Sequence, residues 1–428
     1  MNRANFSFMY AILLDLIDSK YIRVYNRCRS IYEYISAIQV YTSIYGHARV
    51  YSSIPRVKGA KEMHNPFNPS FGKRPIHYFG RQEITRSIVS AVDDVNSPWR
   101  TTLITGIRGS GKTALLSDVR MTLDDPDVIV IYAVPNEALL NSVLAQLFRQ
   151  LPASISGAMP NLKSISFNAG VSVGFEREQK TPYFTETFSY QIMELMDACM
   201  KHGKHIVFLV DEAQKHSEDM RILIRTYQDL VMREYSVSMV LAGLPLVVSD
   251  ILNDDVLTFL RRAKQVELEN VEVMIVEYEF KKVFQSAGTT LSEEAVSKAA
   301  IGTYGYPYLI QLVGHYLWED KQNSIGDDIL ADVLFKSKAE LFRNVHKLIF
   351  SGLSNLDKEF LFAMSEDEGF SSVSDIRSRM HKDKNFISLY RERLLSAGVV
   401  RPAGRGVLCF NYPYMREFLR YKRQESGY

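Results

Sequence analysis

The chain has 428 residues, 46% of them apolar and 23% charged, with a formal net charge of +2. That length exceeds one ordinary domain and predicts about two to four units, while the apolar content excludes a disordered or fibrous chain. A balance this close to neutral names no partner for the chain as a whole, so only the distribution of charge along it informs.

Residues 1–62 are rich in tyrosine (Tyr10, Tyr21, Tyr25 and Tyr32 among them) and only weakly helical in pattern, and they give way to the Pro-rich stretch 66–75. Met63 stands just before "HNPFNPSFG", which leaves two readings open: residues 1–64 are a native leader, or translation starts at Met63. The apolar run 6–17 is interrupted by Asp15 and is shorter than the roughly 20 residues of a spanning helix. Neither a membrane span nor a signal peptide is expected. Cys28, Cys199 and Cys409 are odd in number, far apart and not flanked at metal-ligand spacing, which points to reduced thiols in a cytoplasmic protein.

From Arg100 the pattern alternates β-rich runs (101–105, 128–133, 206–210, 237–242 and 265–268) with helical ones (112–123, 138–151, 184–202 and 218–233). Strands alternating with helices of this length predict a mainly parallel sheet covered on both faces. Residues 152–180 interrupt the alternation with two period-two runs around Asn168-Ala169-Gly170, the pattern of an inserted hairpin. After Glu269 the β signal fades, and helices are predicted at 273–284, 292–301, 308–318 and 329–348. The last segment reads as three helices, two short strands (399–402 and 406–410) and a final amphipathic helix.

Directly behind the first strand lies "GIRGSGKT", residues 106–113. In GxxxxGK[ST] the glycines let backbone amides wrap phosphate oxygens, lysine neutralises the outer phosphates, and Ser or Thr reaches magnesium. The loop residues Gly106, Ile107, Arg108, Gly109, Ser110, Gly111, Lys112, Thr113 and Ala114 are therefore candidates for binding ATP. The run Ile206-Val207-Phe208-Leu209-Val210 ends in Asp211-Glu212, at the end of a parallel strand where such sheets place ligand chemistry. Joined to the phosphate loop, Asp211 is predicted to hold Mg2+ together with Thr113, and Glu212 to polarise the attacking water.

"YFGRQE" (78–83), "HIVFLVDEAQ", "LTFLRRAKQVEL" and "GYPYLIQLVGHYLW" together make the chain resemble AAA+ ATPases of the origin-recognition and initiator-like branch, archaeal in type and STAND-related. The resemblance is nearest to actinobacterial ATP-binding proteins with an N-terminal Asn-Pro-Phe box and a C-terminal winged helix, and it covers residues 65–421. It implies that residues 75–79, Gly80 and Arg81 line the adenine side, and that Arg261 or Arg262 is an arginine finger reaching a neighbouring subunit's γ-phosphate. A homo-oligomer or a protein partner completing the ATP site follows from that implication. Two departures stand out. Ala242-Gly243 occupies the place of a polar sensor, and Tyr306-Pro307-Tyr308 that of a sensor arginine, so hydrolysis is expected to be slow.

Helix 372–380, turn 381–385 and helix 386–398 have helix-turn-helix proportions, and residues 399–410 supply a wing. Residues 377–423 hold 12 Lys plus Arg against Asp383, Glu392 and Glu417, a balance of +9. Lys384, Ser388, Arg391, Arg393 and Arg405 are the candidate contacts to double-stranded DNA. Tyr306, Pro307, Tyr308 and Trp318 read as packing residues, and His202, His205 and His216 as structural rather than metal-binding.

The expectation is an α/β fold: a P-loop AAA+ parallel-sheet domain (65–270), a helical lid (271–350) and a C-terminal winged-helix domain (351–428). The expected function is that of an ATP-dependent switch that binds DNA through the winged helix. The alternative is a STAND-like signalling scaffold that binds ATP and docks a protein partner.

Overall fold

The computed structural model describes residues 64–70, 80–151, 183–214, 217–289, 291–320 and 325–426. The leader 1–62, the inserted hairpin and most of the stretch leading to Gly80 lie outside them. The described residues divide into two compact units, one of residues 64–345 with 396–399, the other of 346–395 with 400–426.

In the larger unit five parallel strands form one sheet: β1 (Thr101–Thr105), β2 (Val128–Ala133), β3 (His205–Val210), β4 (Val237–Gly243) and β5 (Lys264–Glu267). Their order is β2-β3-β4-β1-β5, so β4 is inserted between the strand that leads into the phosphate loop and the strand that ends at Asp211. Helices α1 (Gln82–Ser90), α2 (Lys112–Thr122), α3 (Leu139–Gln150), α4 (Tyr183–Lys201), α5 (Glu218–Met232) and α6 (Pro245–Leu252) cover it.

Both faces are buried because successive side chains point to opposite sides of a strand. Leu103, Ile131, Phe208, Met239 and Leu241 join the core formed with α3, α4, α5 and α6. Their neighbours Ile104, Val130, Val207, Leu209 and Val240 pack instead with α1 and α2. Because all the strand pairs are parallel, the five strands share a common C-terminal edge.

Helices α7 (Val273–Ser286), α8 (Glu293–Gly302), α9 (Pro307–Glu319) and α10 (Asp327–Leu341) follow, in the stretch expected to form the lid. The helix predicted over 329–348 is interrupted: α10 ends at Leu341, a π turn spans Phe342–His346, and α11 (Lys347–Ser351) resumes. Periodicity alone does not show this break, because a π turn adds a residue without exposing the apolar face.

Residues 64–70 pack on α7 and α9. Phe67 is 2% exposed, its ring 5.6 Å from that of Phe280, 5.9 Å from Phe284 and 6.5 Å from Trp318. Asn65 Nδ2 donates to the His315 carbonyl at 3.1 Å, and the Asn68 amide donates to Gln311 Oε1 at 2.9 Å. Trp318 is therefore a packing residue, as its sequence context predicts.

The smaller unit contains α11, α12 (Asn355–Ser365), β6 (Ser371–Ser372), α13 (Val373–Met380), α14 (Lys384–Ser396), β7 (Val400–Gly404), β8 (Val407–Phe410) and α15 (Met415–Ser426). Its three strands are antiparallel in the order β6-β8-β7. Ser354 caps α12 in a reciprocal box with Asp357, which fixes where that helix begins. Cys199 and Cys409 are buried free thiols. Among the described residues no helix is long and apolar enough to cross a membrane, and no His, Cys, Asp or Glu group could hold a metal by itself.

Candidate functional site

β1 ends at Thr105, and α2 begins at Lys112 with Gly111 as its N-cap. Gly109 and Gly111 have φ of 77° and 92°, a left-handed backbone in which a Cβ is strained, and this curls the loop back over its own helix terminus. The Ser110 amide donates to the Ile107 carbonyl at 3.2 Å, closing the turn. The Lys112 ammonium lies across the loop, donating to the carbonyls of Gly106 at 2.8 Å and Ile107 at 3.0 Å. Burial pulls the Lys112 pKa down to about 8, and the Asp211 carboxylate opposes that fall. A helix N-terminus with a half-desolvated cation at its first residue suits a polyanionic ligand.

Asp211 follows β3 and is buried. One carboxylate oxygen accepts from the Tyr132 hydroxyl at 2.8 Å and the other from the Glu212 amide at 2.9 Å. Burial, then the Asp211 hydrogen bond, pushes the Tyr132 phenol up, so it remains a donor. Glu212 is exposed and has φ of 53°, a left-handed conformation that a residue bearing a Cβ adopts only when its surroundings impose it. Two neighbours fix it: the Asp211 amide donates to Ala133 at 2.9 Å, and the Ala213 amide to Ala242 at 2.9 Å. Ala242 and Gly243, both buried at the end of β4, lie between these two edges and present no polar side chain.

Gly80 and Arg81 open α1, and the Arg81 guanidinium donates to the Glu269 carbonyl just after β5. A Cβ on Gly80 would touch Val271 and Ile275, so this stretch borders the start of the lid. Tyr306 is buried as the packing reading expects, but its hydroxyl donates to the Arg108 carbonyl of the phosphate loop. Sequence reasoning missed this contact and that of Tyr132. Tyr132 had a signal, a lone hydroxyl at the end of an otherwise aliphatic strand.

Arg261 and Arg262 end a short 3-10 helix before β5, and both are exposed. Arg261 Nε donates to the Leu252 carbonyl at 2.8 Å. The structural reading of His205 agrees with its place: the ring is buried between Ser236 Oγ at 2.7 Å and Ser238 Oγ at 2.9 Å, and burial lowers its pKa to about 4.

In the smaller unit part of the basic run is ion-paired. Arg393 meets the buried Asp357 at 2.8 Å and Arg391 meets Glu392 at 2.9 Å. Arg379 and Arg423 reach Glu366, and Arg420 reaches Glu368 at 3.0 Å. Asp357, Glu366 and Glu368 lie outside residues 377–423; over residues 346–426, 14 Lys plus Arg face 10 Asp plus Glu, a balance of +4. Arg377, Lys384, Ser388, Arg401 and Arg405 remain exposed, and Arg405 lies between Gly404 and Gly406 at the β7-β8 turn.

A parallel sheet with a glycine-rich loop between its first strand and helix, and a buried aspartate at a neighbouring strand end, defines a P-loop α/β nucleotide-binding domain. Residues 97–252 match the family described as an AAA domain. Residues 343–419 match a "domain of unknown function (DUF8462)". No curated protein matches the chain in sequence. The Walker-type ATPase PABY2304 of Pyrococcus abyssi shares the fold, at TM-score 0.55 and 15% identity over 81% of this chain and 97% of that one. Cdc6p of Pyrobaculum aerophilum is similar at TM-score 0.43 and 13% identity, covering 84% of this chain and 97% of its own. The Aeropyrum pernix ORC1 protein, solved with DNA, gives TM-score 0.39 and 14% identity over 82% of this chain and 94% of its own.

Proposed function

We propose that the protein is an AAA+ switch that binds ATP with Mg2+, hydrolyses it slowly, and changes the engagement of a C-terminal winged helix with double-stranded DNA. The observation that carries this reading is the position of Lys112, half-desolvated across Gly106 and Ile107 and within electrostatic reach of Asp211. Gly106 to Ala114 bind the phosphates, Lys112 neutralises the outer ones, and Gly80 and Arg81 border the adenine. Thr113 and Asp211 hold the metal; a buried carboxylate whose oxygens each accept a single protein donor has lone pairs left for a metal-bound water. Magnesium supplies charge neutralisation of the phosphates when bound. Glu212, exposed beside it, orients and polarises the attacking water. The apolar Ala242 and Gly243 at the end of β4 support slow turnover, since a missing charge-stabilising donor raises the barrier by about 2.7–4 kcal/mol.

Arg261 or Arg262, exposed before β5, completes the site of a neighbouring copy or partner. The order of helices and strands over 355–426 supports the winged-helix reading, with α14 as the reading helix and Arg405 on the wing. Lys384, Ser388 and Arg405 are its available DNA contacts, while Arg391 and Arg393 join them only by giving up Glu392 and Asp357. The buried free thiols of Cys199 and Cys409 suit a cytoplasmic location.

The test is a fluorescent-nucleotide titration: Lys112→Ala abolishes ATP binding, and retained full binding refutes the site. A second reading, a STAND-like scaffold docking a protein partner, is favoured by the neutralisation of Arg379, Arg420 and Arg423 by the acidic turn 366–368. A DNA titration across salt, with ATP, with ADP and without nucleotide, separates them. A steep fall in affinity with salt supports the DNA reader, and no binding at low salt supports protein docking.

A further inference from the structure

We propose that Tyr306 is a positioning residue that fixes the phosphate loop from the lid, taking the place of an ionic reader at the start of α9. This rests on the nucleotide-binding reading of the loop. The Tyr306 side chain is wholly buried, and its hydroxyl donates to the Arg108 carbonyl. In a trans peptide the carbonyl of one residue and the amide of the next point to opposite sides. Anchoring the Arg108 carbonyl on Tyr306 therefore turns the Gly109 amide away from the lid tyrosine, an orientation that a phosphate-wrapping loop must hold at its crest.

The support for Tyr306 is built rather than incidental. Thr303 Oγ1 donates to the Ala300 carbonyl at 2.6 Å and accepts from the Gly305 amide at 3.1 Å. The Val271 amide donates to the Gly305 carbonyl at 2.8 Å, and Asn270 Nδ2 donates to the Tyr304 carbonyl at 3.1 Å. Gly305, at φ 66°, lies so close to the Val271 backbone that a Cβ there would overlap it. The turn that carries Tyr306 is thus tied to the segment leaving β5. On the other side, a Cβ on Gly109 would overlap the Tyr306 hydroxyl, so the loop and the tyrosine fit each other only while residue 109 is glycine.

The full chain is titrated with fluorescent ATP as the unsubstituted protein, Tyr306→Phe, Gly109→Ala and the double variant. Tyr306→Phe keeps the buried ring and removes the donor, and ATP affinity falls about twofold to tenfold, the equivalent of one neutral hydrogen bond. In the Gly109→Ala background the added methyl has already displaced the hydroxyl, so Tyr306→Phe costs little more there. An unchanged affinity in Tyr306→Phe, or losses that multiply in the double variant, overturns the proposal. Amide hydrogen exchange without nucleotide provides an independent reading, with exchange at Ser110 and Gly111 about twofold to tenfold faster in Tyr306→Phe. Unchanged exchange also overturns it. If the unsubstituted chain binds no ATP, the nucleotide reading fails, while the exchange measurement still decides whether Tyr306 holds the loop.

Discussion

ATP affinity should fall as pH rises through about 8, well before an ordinary lysine would lose its proton. The perturbation is pH alone, and the responsible group is Lys112, whose pKa burial lowers from 10.5 to about 8 despite Asp211. Polyphosphate binding needs the ammonium form, and a bound anion beside it raises its pKa again. Between the free and bound pKa values each further pH unit therefore weakens binding by up to about tenfold, since the free protein must first take up a proton. A titration with fluorescent ATP at fixed Mg2+ and ionic strength from pH 7 to 9.5 measures this. Affinity should be nearly flat below pH 7.5 and fall by about tenfold from pH 8.5 to 9.5. A flat profile to pH 9.5 would show that Lys112 keeps its proton by another means, and its placement across Gly106 and Ile107 would be wrong.

Phe67→Ala should destabilise the larger unit by about 3–5 kcal/mol, because it empties a site bounded by Phe280, Phe284 and Trp318. A shift in denaturant midpoint measures the loss, and an unchanged midpoint would mean that the segment is not part of the lid core. Arg393→Ala should lower stability by about 1–3 kcal/mol by leaving the buried Asp357 carboxylate without its cation, measured in the same way. Arg405→Ala, by contrast, should leave stability within about 0.5 kcal/mol and reduce the slope of log DNA affinity against log salt by about 1. Acid should destabilise both units: His205 and His346 are held neutral by burial, with pKa values lowered to about 4 and about 3. Below pH 6.5 the unfolded chain takes up protons that the folded chain refuses, so each histidine costs about 2 kcal/mol at pH 5. Thermal unfolding at pH 7 and pH 5 checks this, and His205→Gln should flatten its share of the dependence.

Much of the site is legible in the sequence because its chemistry depends on neighbours along the chain. The phosphate loop and its helix lie within residues 106–122, and Asp211-Glu212 follows the apolar run 206–210, so spacing alone finds them. The strands are legible for a similar reason: a strand buried on both faces reads as an apolar run bounded by turn residues. The partners from distant segments are not legible. Tyr132 reaches Asp211 only because β2 pairs with β3 in register, Tyr132 against Leu209, and nothing local to either residue predicts that pairing.

The sequence by itself determined the kind of ligand chemistry, an anion-cradling loop with a lysine and a strand-end acid pair, because short-range backbone and side-chain types dictate both. It also determined that residues 377–423 carry an excess of positive charge. The tertiary structure alone decided how much of that charge is available, since Asp357 and the acidic turn 366–368 come from outside the run. It alone placed β4 between the two halves of the site and brought Tyr306 onto the phosphate loop. Charge pairing and hydrogen bonding act through space over a few ångströms, and only the packed chain sets which residues come that close.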